Sequence, residues 1–321
     1  MSKSAILTNI NYFNYFLDNI DGVWYNNYME IKHINSDIHI TGQSDFDLKH
    51  IFDCGQCFRF NASDDGSYTG TAFGKTVKIS YKDGDIILYD TTEDDFRNIW
   101  YNYLDLGSDY SAIKKALTAD GDIVMKEAVR YGSGIRILKQ DLWETIISFI
   151  ISASNNIPRI KKIIELLCMN FGGEHTYAGK AYYSFPSPET IAKLDLDDLS
   201  VIRAGFRDKY ILKCAQGIAS GEIDLTLINS MDTANAKKAL MKISGVGNKV
   251  SDCILLFGMR RMDSFPVDVW IKRIMEYCYF NNEPQNIKTI SEFANSKFGS
   301  LGGIAQQYLF FYARECKIGV K

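Results

Sequence analysis

The hydrophobic pattern of this chain changes period once, and that change limits the architectures open to it. Between residues 37 and 89, apolar and polar side chains alternate in short runs: Asp37-Ile-His-Ile-Thr41, Tyr68-Thr-Gly-Thr-Ala72, Thr76-Val-Lys-Ile-Ser-Tyr81 and Asp85-Ile-Ile-Leu-Tyr89. A period of two puts one set of side chains on a single face, so these runs predict strands. They are punctuated by Asp65-Gly66, Phe73-Gly-Lys75 and Lys82-Asp-Gly-Asp85, where Gly and Asp tolerate the positive φ that tight hairpins need. No helical segment separates them, which argues for antiparallel pairing and against a doubly wound α/β unit.

From about residue 94 the period becomes helical. Phe96, Ile99, Trp100, Tyr103 and Leu104 form one stripe, Trp143, Ile146, Ile147 and Ile150 a second, and Ile160, Ile163, Ile164, Leu167, Cys168 and Phe171 a third. Between the last two lies Ser154-Asn-Asn-Ile-Pro158, a loop followed by a helix start, because Pro fits the first turn. Further stripes fall at 199–219, 236–242, 249–259, 269–280 and 304–314, and no strand pattern competes after residue 125. The expected fold class is α+β, an N-terminal antiparallel β-sheet domain (37–125) followed by an all-helical domain (126–321). The border is set by the change of period around Gly132-Ser-Gly134. Residues 1–36, rich in Asn and Tyr, are expected to be an extension without assigned function.

The 321 residues are 46% hydrophobic and 13% aromatic, enough for the cores of two domains and incompatible with disorder. No apolar run approaches the roughly 20 residues that span a bilayer. Met1-Ser-Lys-Ser-Ala-Ile-Leu-Thr lacks the apolar core of a signal peptide, so a soluble cytoplasmic protein is expected. The seven cysteines, at 54, 57, 168, 214, 253, 278 and 316, are scattered as reduced thiols usually are. Cys54-Gly-Gln-Cys57 alone has motif spacing, and reads as a redox pair or half a zinc site. No second pair exists, and the four histidines (33, 39, 50, 175) lack ligand spacing, so no metal is expected.

A net charge of −3 excludes a uniformly basic nucleic-acid coat. Residues 236–273 nevertheless hold eight Lys and Arg against three Asp, a local +5 that fits either a DNA-facing surface or a solvated helix face. This segment contains Ile243-Ser-Gly-Val-Gly-Asn-Lys249, a Gly-x-Gly turn between two helical patterns. Backbone N–H groups in such a turn can hold a phosphate without reading sequence. An ammonium at a helix N-terminus faces the positive end of the dipole, which favours the neutral amine that a Schiff-base nucleophile requires. Lys249 is one turn from Cys253, and Asp268 follows Pro266 where the next helical stripe begins, a position suited to an N-cap carboxylate. Taken singly, Lys249 is an ordinary surface lysine and Asp268 an ordinary cap. Their pairing with Gly245 and Gly247 is what points to chemistry.

The combination resembles the bifunctional helix-hairpin-helix DNA glycosylases, and over roughly residues 35–315 it is similar to the 8-oxoguanine DNA glycosylases. Gly55-Gln-Cys-Phe-Arg59 matches their Gly-Gln-x-Phe-Arg segment, and Ala305-Gln-Gln-Tyr-Leu-Phe310 matches their last helix. The resemblance implies Lys249 as nucleophile, Asp268 as carboxylate partner, and a base pocket of Gly55, Cys253, Phe257, Gln306 and Phe310. In it the Gly55 carbonyl accepts the N7 hydrogen that only oxidised guanine carries. It further implies contacts to the opposite cytosine and the DNA from Ser154, Asn155, Arg159, Phe206, Arg207, Gly245, Gly247 and Trp270. Ser154, Phe206, Trp270 and Phe257 stand where the family often has Asn, Tyr, His and Met. The expected partner is double-stranded DNA containing 8-oxoguanine, bound by a monomer and away from membranes. The resemblance allows a monovalent cation at the 243–248 turn. Only Cys316 follows the last helix, so no iron–sulfur cluster is expected. Alkylated purine excision on the same architecture, and a non-catalytic DNA-binding module, remain the alternatives.

Overall fold

The computed structural model describes residues 23–26 and 29–319. Seven strands, β1 (Val23–Asn26), β2 (Met29–Ile34), β3 (Asp37–Thr41), β4 (Phe60–Ala62), β5 (Tyr68–Ala72), β6 (Lys75–Lys82) and β7 (Asp85–Tyr89), form one sheet in the order β1-β2-β3-β7-β6-β5-β4. Every pairing is antiparallel. Register follows the apolar alternation: Ile31 lies opposite Ile40 and Ile40 opposite Ile86, while Leu88 lies between Ile38 and Ile79. All six are fully buried, so a one-residue slip would turn this face to water. Helix α1 (Leu48–Phe52) and a helical stretch at 93–103 cover the face with Phe52, Phe96, Trp100 and Tyr103.

Part of the expected extension is sheet. Strands β1 and β2 lie within residues 1–36, and the alternation Met29-Glu-Ile-Lys is what brings Ile31 onto Ile40. Residues 1–22 of that stretch lie outside the described residues.

The helices are α2 (Tyr110–Leu117), α3 (Ile123–Tyr131), α4 (Leu142–Ser152), α5 (Ile157–Phe171), α6 (Asp208–Ala219), α7 (Thr233–Leu240), α8 (Asn248–Cys253), α9 (Val269–Tyr279), α10 (Ile287–Phe298) and α11 (Gly302–Glu315), with short turns between them. Much of the chain's aspartate serves their starts: Asp109, Asp122, Asp141, Asp232 and Asp268 each accept a first-turn backbone N–H. The all-helical expectation fails at one place. A hairpin, β8 (Glu174–Tyr177) and β9 (Lys180–Tyr183), follows α5 and reaches back to the sheet, where Tyr177 OH donates to the Tyr89 carbonyl at 2.8 Å. Neither strand has a fully buried residue, so no apolar alternation announces it.

The border also differs from the one read from period. Leu117 and Met125 pack with the helical core, and so do Cys54 and Phe58 from the sheet region, whereas Leu138 packs under the sheet. The two layers are cross-tied by buried polar groups. Gln56 donates to the Ile51 and Arg136 carbonyls and accepts from Leu138 N–H. Arg59 pairs with Glu144 of α4 at 3.4 Å. These ties hold the Gly55 loop against the helices.

Candidate active site

A cavity of about 560 Å³ opens between the two layers. The chain from α8 to α9 supplies one wall. Gly245 has φ +88, and a Cβ there would lie 2.9 Å from Tyr210, so only glycine fits this turn. Gly247 is the N-cap of α8 and its side-chain position is open. Gly247 gives α8 no side-chain cap, so the cap leaves the first N–H groups of the helix free for another acceptor. Helix α8 continues into a π-helical run, Ile254–Gly258, the kind of local rewinding common at functional sites.

Lys249, in the first turn of α8, is half-buried and lies 5.3 Å over the Phe149 ring of α4. Phe149 in turn stacks on Phe257, with centroids 5.4 Å apart and planes at 12°. Asp268 caps α9, its Oδ1 accepting the Ile271 N–H at 2.8 Å. Burial raises this carboxyl above the ordinary carboxylate range, against the Ile271 N–H and the nearby Lys249 charge, which pull it down. Desolvation outweighs the capping hydrogen bond. Cys253 completes the wall as a neutral thiol, pushed up to about 11 by burial and drawn down by Lys249.

The opposite wall comes from the sheet layer and the last helix. Gly55 has φ +80, and a Cβ there would meet Phe310 Cε1 at 3.2 Å, so the backbone approaches the ring closely. Gln306 and Phe310 sit one turn apart on α11, facing the cavity. Gln306 is 4% exposed and its Oε1 has no hydrogen-bond partner. A buried acceptor left unpaired costs about 1–3 kcal/mol, which a ligand donor would recover. The cavity is thus lined by Lys249, Asp268, Cys253, Phe257, Gly55, Gln306 and Phe310 together, with Asn155 and Trp270 at its edge.

The remaining expected contacts lie outside this cavity. Ser154 is exposed with φ +49, a conformation Asn adopts more readily than Ser. Arg159 is exposed in the first turn of α5, its N–H capped by Asn156. Phe206 is 56% exposed, a large ring turned to solvent. Arg207 is held by the backbone around it. It is 2% exposed, and its guanidinium donates to the carbonyls of Ala153, Ser154 and Ala204. It braces the loop that presents Ser154, and stacks under Phe206 at 4.3 Å.

Sequence reasoning missed Phe149, Ser152, Ile157 and Pro266, which also line the cavity. Phe149 lies in a stretch of α4 buried on all sides, so periodicity did not single it out. Arg273, 5.3 Å over the Trp270 ring, was detectable as an i, i+3 neighbour and returns positive charge to a position where the family often has His. The local +5 is also partly spent on carboxylates outside the segment, since Lys272 pairs with Glu276 and Arg260 with Asp105.

Residues 38–146 match the family described as 8-oxoguanine DNA glycosylase, N-terminal domain, and residues 147–297 the HhH-GPD superfamily of base excision DNA repair proteins. A probable N-glycosylase/DNA lyase of Methanothermobacter thermautotrophicus is 34% identical over 201 residues, covering 56% of this chain and 64% of its own length. The chain therefore spans somewhat under two thirds of that relative. Among solved structures, MBOgg1 in complex with a low affinity DNA ligand is 45% identical, with a TM-score of 0.87 over 90% of this chain and 99% of its own. The Clostridium acetobutylicum 8-oxoguanine glycosylase/lyase, bound to double-stranded DNA containing cytosine opposite 8-oxoG, is 42% identical, with a TM-score of 0.86 over 90% and 98%.

Proposed function

The chain belongs to the 8-oxoguanine DNA glycosylase family of helix-hairpin-helix base-excision enzymes, and we propose that it excises 8-oxoguanine opposite cytosine in duplex DNA and then cleaves the strand. One observation carries the proposal: Lys249 and Asp268 open onto the same cavity as Gly55, Gln306 and Phe310.

An enzyme acting on a base must take it out of the stack, and a cavity of about 560 Å³ accommodates one purine. Phe310 and Cys253 supply the stacking faces. The Watson–Crick edge of 8-oxoguanine presents N1–H and an amino group, the donors that the unpaired Gln306 Oε1 lacks. The Gly55 carbonyl meets the N7 hydrogen.

The neutral Lys249 amine attacks C1′. The glycosidic bond breaks with its electron pair passing to the base, which takes up the proton that the attacking amine gives up. Ring opening gives a Lys249 imine, and removal of a C2′ proton expels the 3′ phosphate by β-elimination. The Asp268 carboxylate stabilises the positive charge that develops on the sugar. The 245–247 turn and first N–H groups of α8 bind a neighbouring phosphate, while Arg159, Phe206 and the Arg207-braced loop face the opposite strand. The protein works as a monomer. The bond-breaking steps are carried by Lys249 and Asp268, and residues 243–248 would hold a monovalent cation that would stiffen the turn, a role checked by replacing potassium with tetramethylammonium in a DNA-affinity titration.

The test is a cleavage assay on duplexes containing 8-oxoguanine opposite each of the four bases, beside a 3-methyladenine duplex. Fastest cleavage opposite cytosine supports the proposal. Release of 3-methyladenine without strand scission points to the alkylpurine alternative, and equal binding of damaged and intact DNA without turnover to a binding module.

A further inference from the structure

Four consecutive carbonyls run through the Gly55 loop, and their partners follow a pattern. Arg314 Nη2 donates to the Asp53 carbonyl at 2.6 Å, Gln307 Nε2 to the Cys54 carbonyl at 2.6 Å, and Gln140 Nε2 to the Gln56 carbonyl at 2.7 Å. Among the described residues no donor reaches the carbonyl of Gly55. The side chains around it are tied as well. Tyr68 OH donates to Asp53 Oδ2 at 2.6 Å, and the Gln56 side chain makes three buried hydrogen bonds. Gln307 is 1% exposed, and Arg314 lies 5.5 Å over Phe310, the ring that meets Gly55. Arg314 is itself held by Glu315, whose Oε1 accepts from Nε at 3.2 Å and from Nη2 at 3.0 Å, so its donor to the loop is fixed in direction.

We propose that Gln307, Arg314 and Gln140 act as a clamp that fixes the direction of the Gly55 carbonyl, and thereby enforces the choice of oxidised over ordinary guanine. The inference rests on the reading that this carbonyl receives the lesion's N7 hydrogen. Ordinary guanine carries a lone pair at N7. A mobile carbonyl would rotate away from it and accept the base, whereas a rigid one leaves two acceptors facing each other. Fixing the flanking peptides from two separate elements, α11 and the segment before α4, removes that freedom. Gln307 and Arg314 also border the cavity, but all three act through the Gly55 carbonyl as positioning residues.

The experiment uses the full chain carrying Lys249→Gln, so that binding is read without turnover, and measures Kd for duplexes containing 8-oxoguanine·cytosine and guanine·cytosine. Gln307→Met and Gln140→Met are each expected to weaken 8-oxoguanine binding about tenfold, since one misaligned buried hydrogen bond is lost, and to strengthen guanine binding, since the freed carbonyl turns away from the N7 lone pair. The preference for the lesion should shrink accordingly. Arg314→Lys, which keeps one donor, should lose less than Arg314→Met. In the chain with Lys249 intact, strand cleavage at a preformed abasic site provides the control, because it needs no base contact. A lesion preference retained in all the variants overturns the clamp and leaves the proposed function standing. A parallel loss of both affinities and of abasic-site cleavage in Gln307→Met and Gln140→Met also overturns it, by showing a structural role. Absence of any lesion preference in the unsubstituted pocket overturns the function itself.

Discussion

Gly55→Ala tests the geometry of the lesion pocket at its tightest point. At φ +80, an L-residue pays roughly 1–2 kcal/mol that glycine does not. The new methyl would lie 3.2 Å from Phe310 Cε1, inside the roughly 3.5–4.0 Å of ordinary carbon contact, so the ring must retreat by a few tenths of an ångström. For a chain of this size the stability loss lowers Tm by about 1.5–3 °C. A folded domain has a margin of about 5–15 kcal/mol, so the population stays native at assay temperature. The effect on excision is separate and larger. Moving the carbonyl and ring that define the base position costs roughly 10- to 100-fold in rate. Single-turnover excision of 8-oxoguanine, measured beside cleavage of a preformed abasic site, reads the difference, and thermal unfolding supplies the stability. Excision should fall while abasic-site cleavage stays within about threefold of the unsubstituted chain. Unchanged excision, or equal loss of both activities, refutes the placement of Gly55 against the base.

Arg59→Met removes the partner of Glu144, whose side chain is 17% exposed and whose carboxyl burial already pushes upward. Breaking such a pair costs about 3–5 kcal/mol, and denaturant titration checks it. With the folded-state value above that of the unfolded chain, this variant should approach normal stability below about pH 4.3 and lose it as pH rises. Because burial raises Asp268, excision should begin to fail on acidification at a pH above the roughly 3.9 of a free aspartate. A pH–rate profile in which Asp268→Asn retains that acid limb would assign the limb elsewhere. Gly245→Ala forces a methyl against Tyr210 at 2.9 Å. It should weaken binding of lesion and intact duplex alike in a fluorescence-anisotropy titration, because the turn contacts phosphate rather than base.

How much of this was legible in the sequence depended on locality. Strands β3, β5 and β7 were read to the residue, and β6 to within one at each end, because alternation and Gly-Asp turns coincide there. Strand β2 was missed although Met29-Glu-Ile-Lys alternates, since it sits in an Asn- and Tyr-rich stretch with little other pattern. Strand β4 has three residues, too few to show a period. The β8–β9 hairpin buries no residue fully, so no apolar alternation marks it, though its Ala178-Gly179 turn, with φ +47 and +74, does. At the site, Lys249 with Cys253 and Gln306 with Phe310 could be placed because one helical turn relates each pair. The approach of Gly55 to Phe310 came from resemblance alone, since no local rule links residues so far apart. Arg207 shows the limit most clearly. The resemblance implies a contact to the opposite cytosine, and only the fold reveals that the Ala153, Ser154 and Ala204 carbonyls hold the guanidinium in place.

The central claim is that Lys249, seated beside Asp268 at the mouth of the base cavity, is the nucleophile. Borohydride reduction during turnover of an 8-oxoguanine·cytosine duplex tests it directly, with the adduct located by peptide mass analysis. The account predicts one covalent protein–DNA species, linked through Lys249, and its absence in Lys249→Gln, which should still bind the lesion but leave the strand intact. Strand cleavage without a trapped adduct, or an adduct on any other amine, contradicts it.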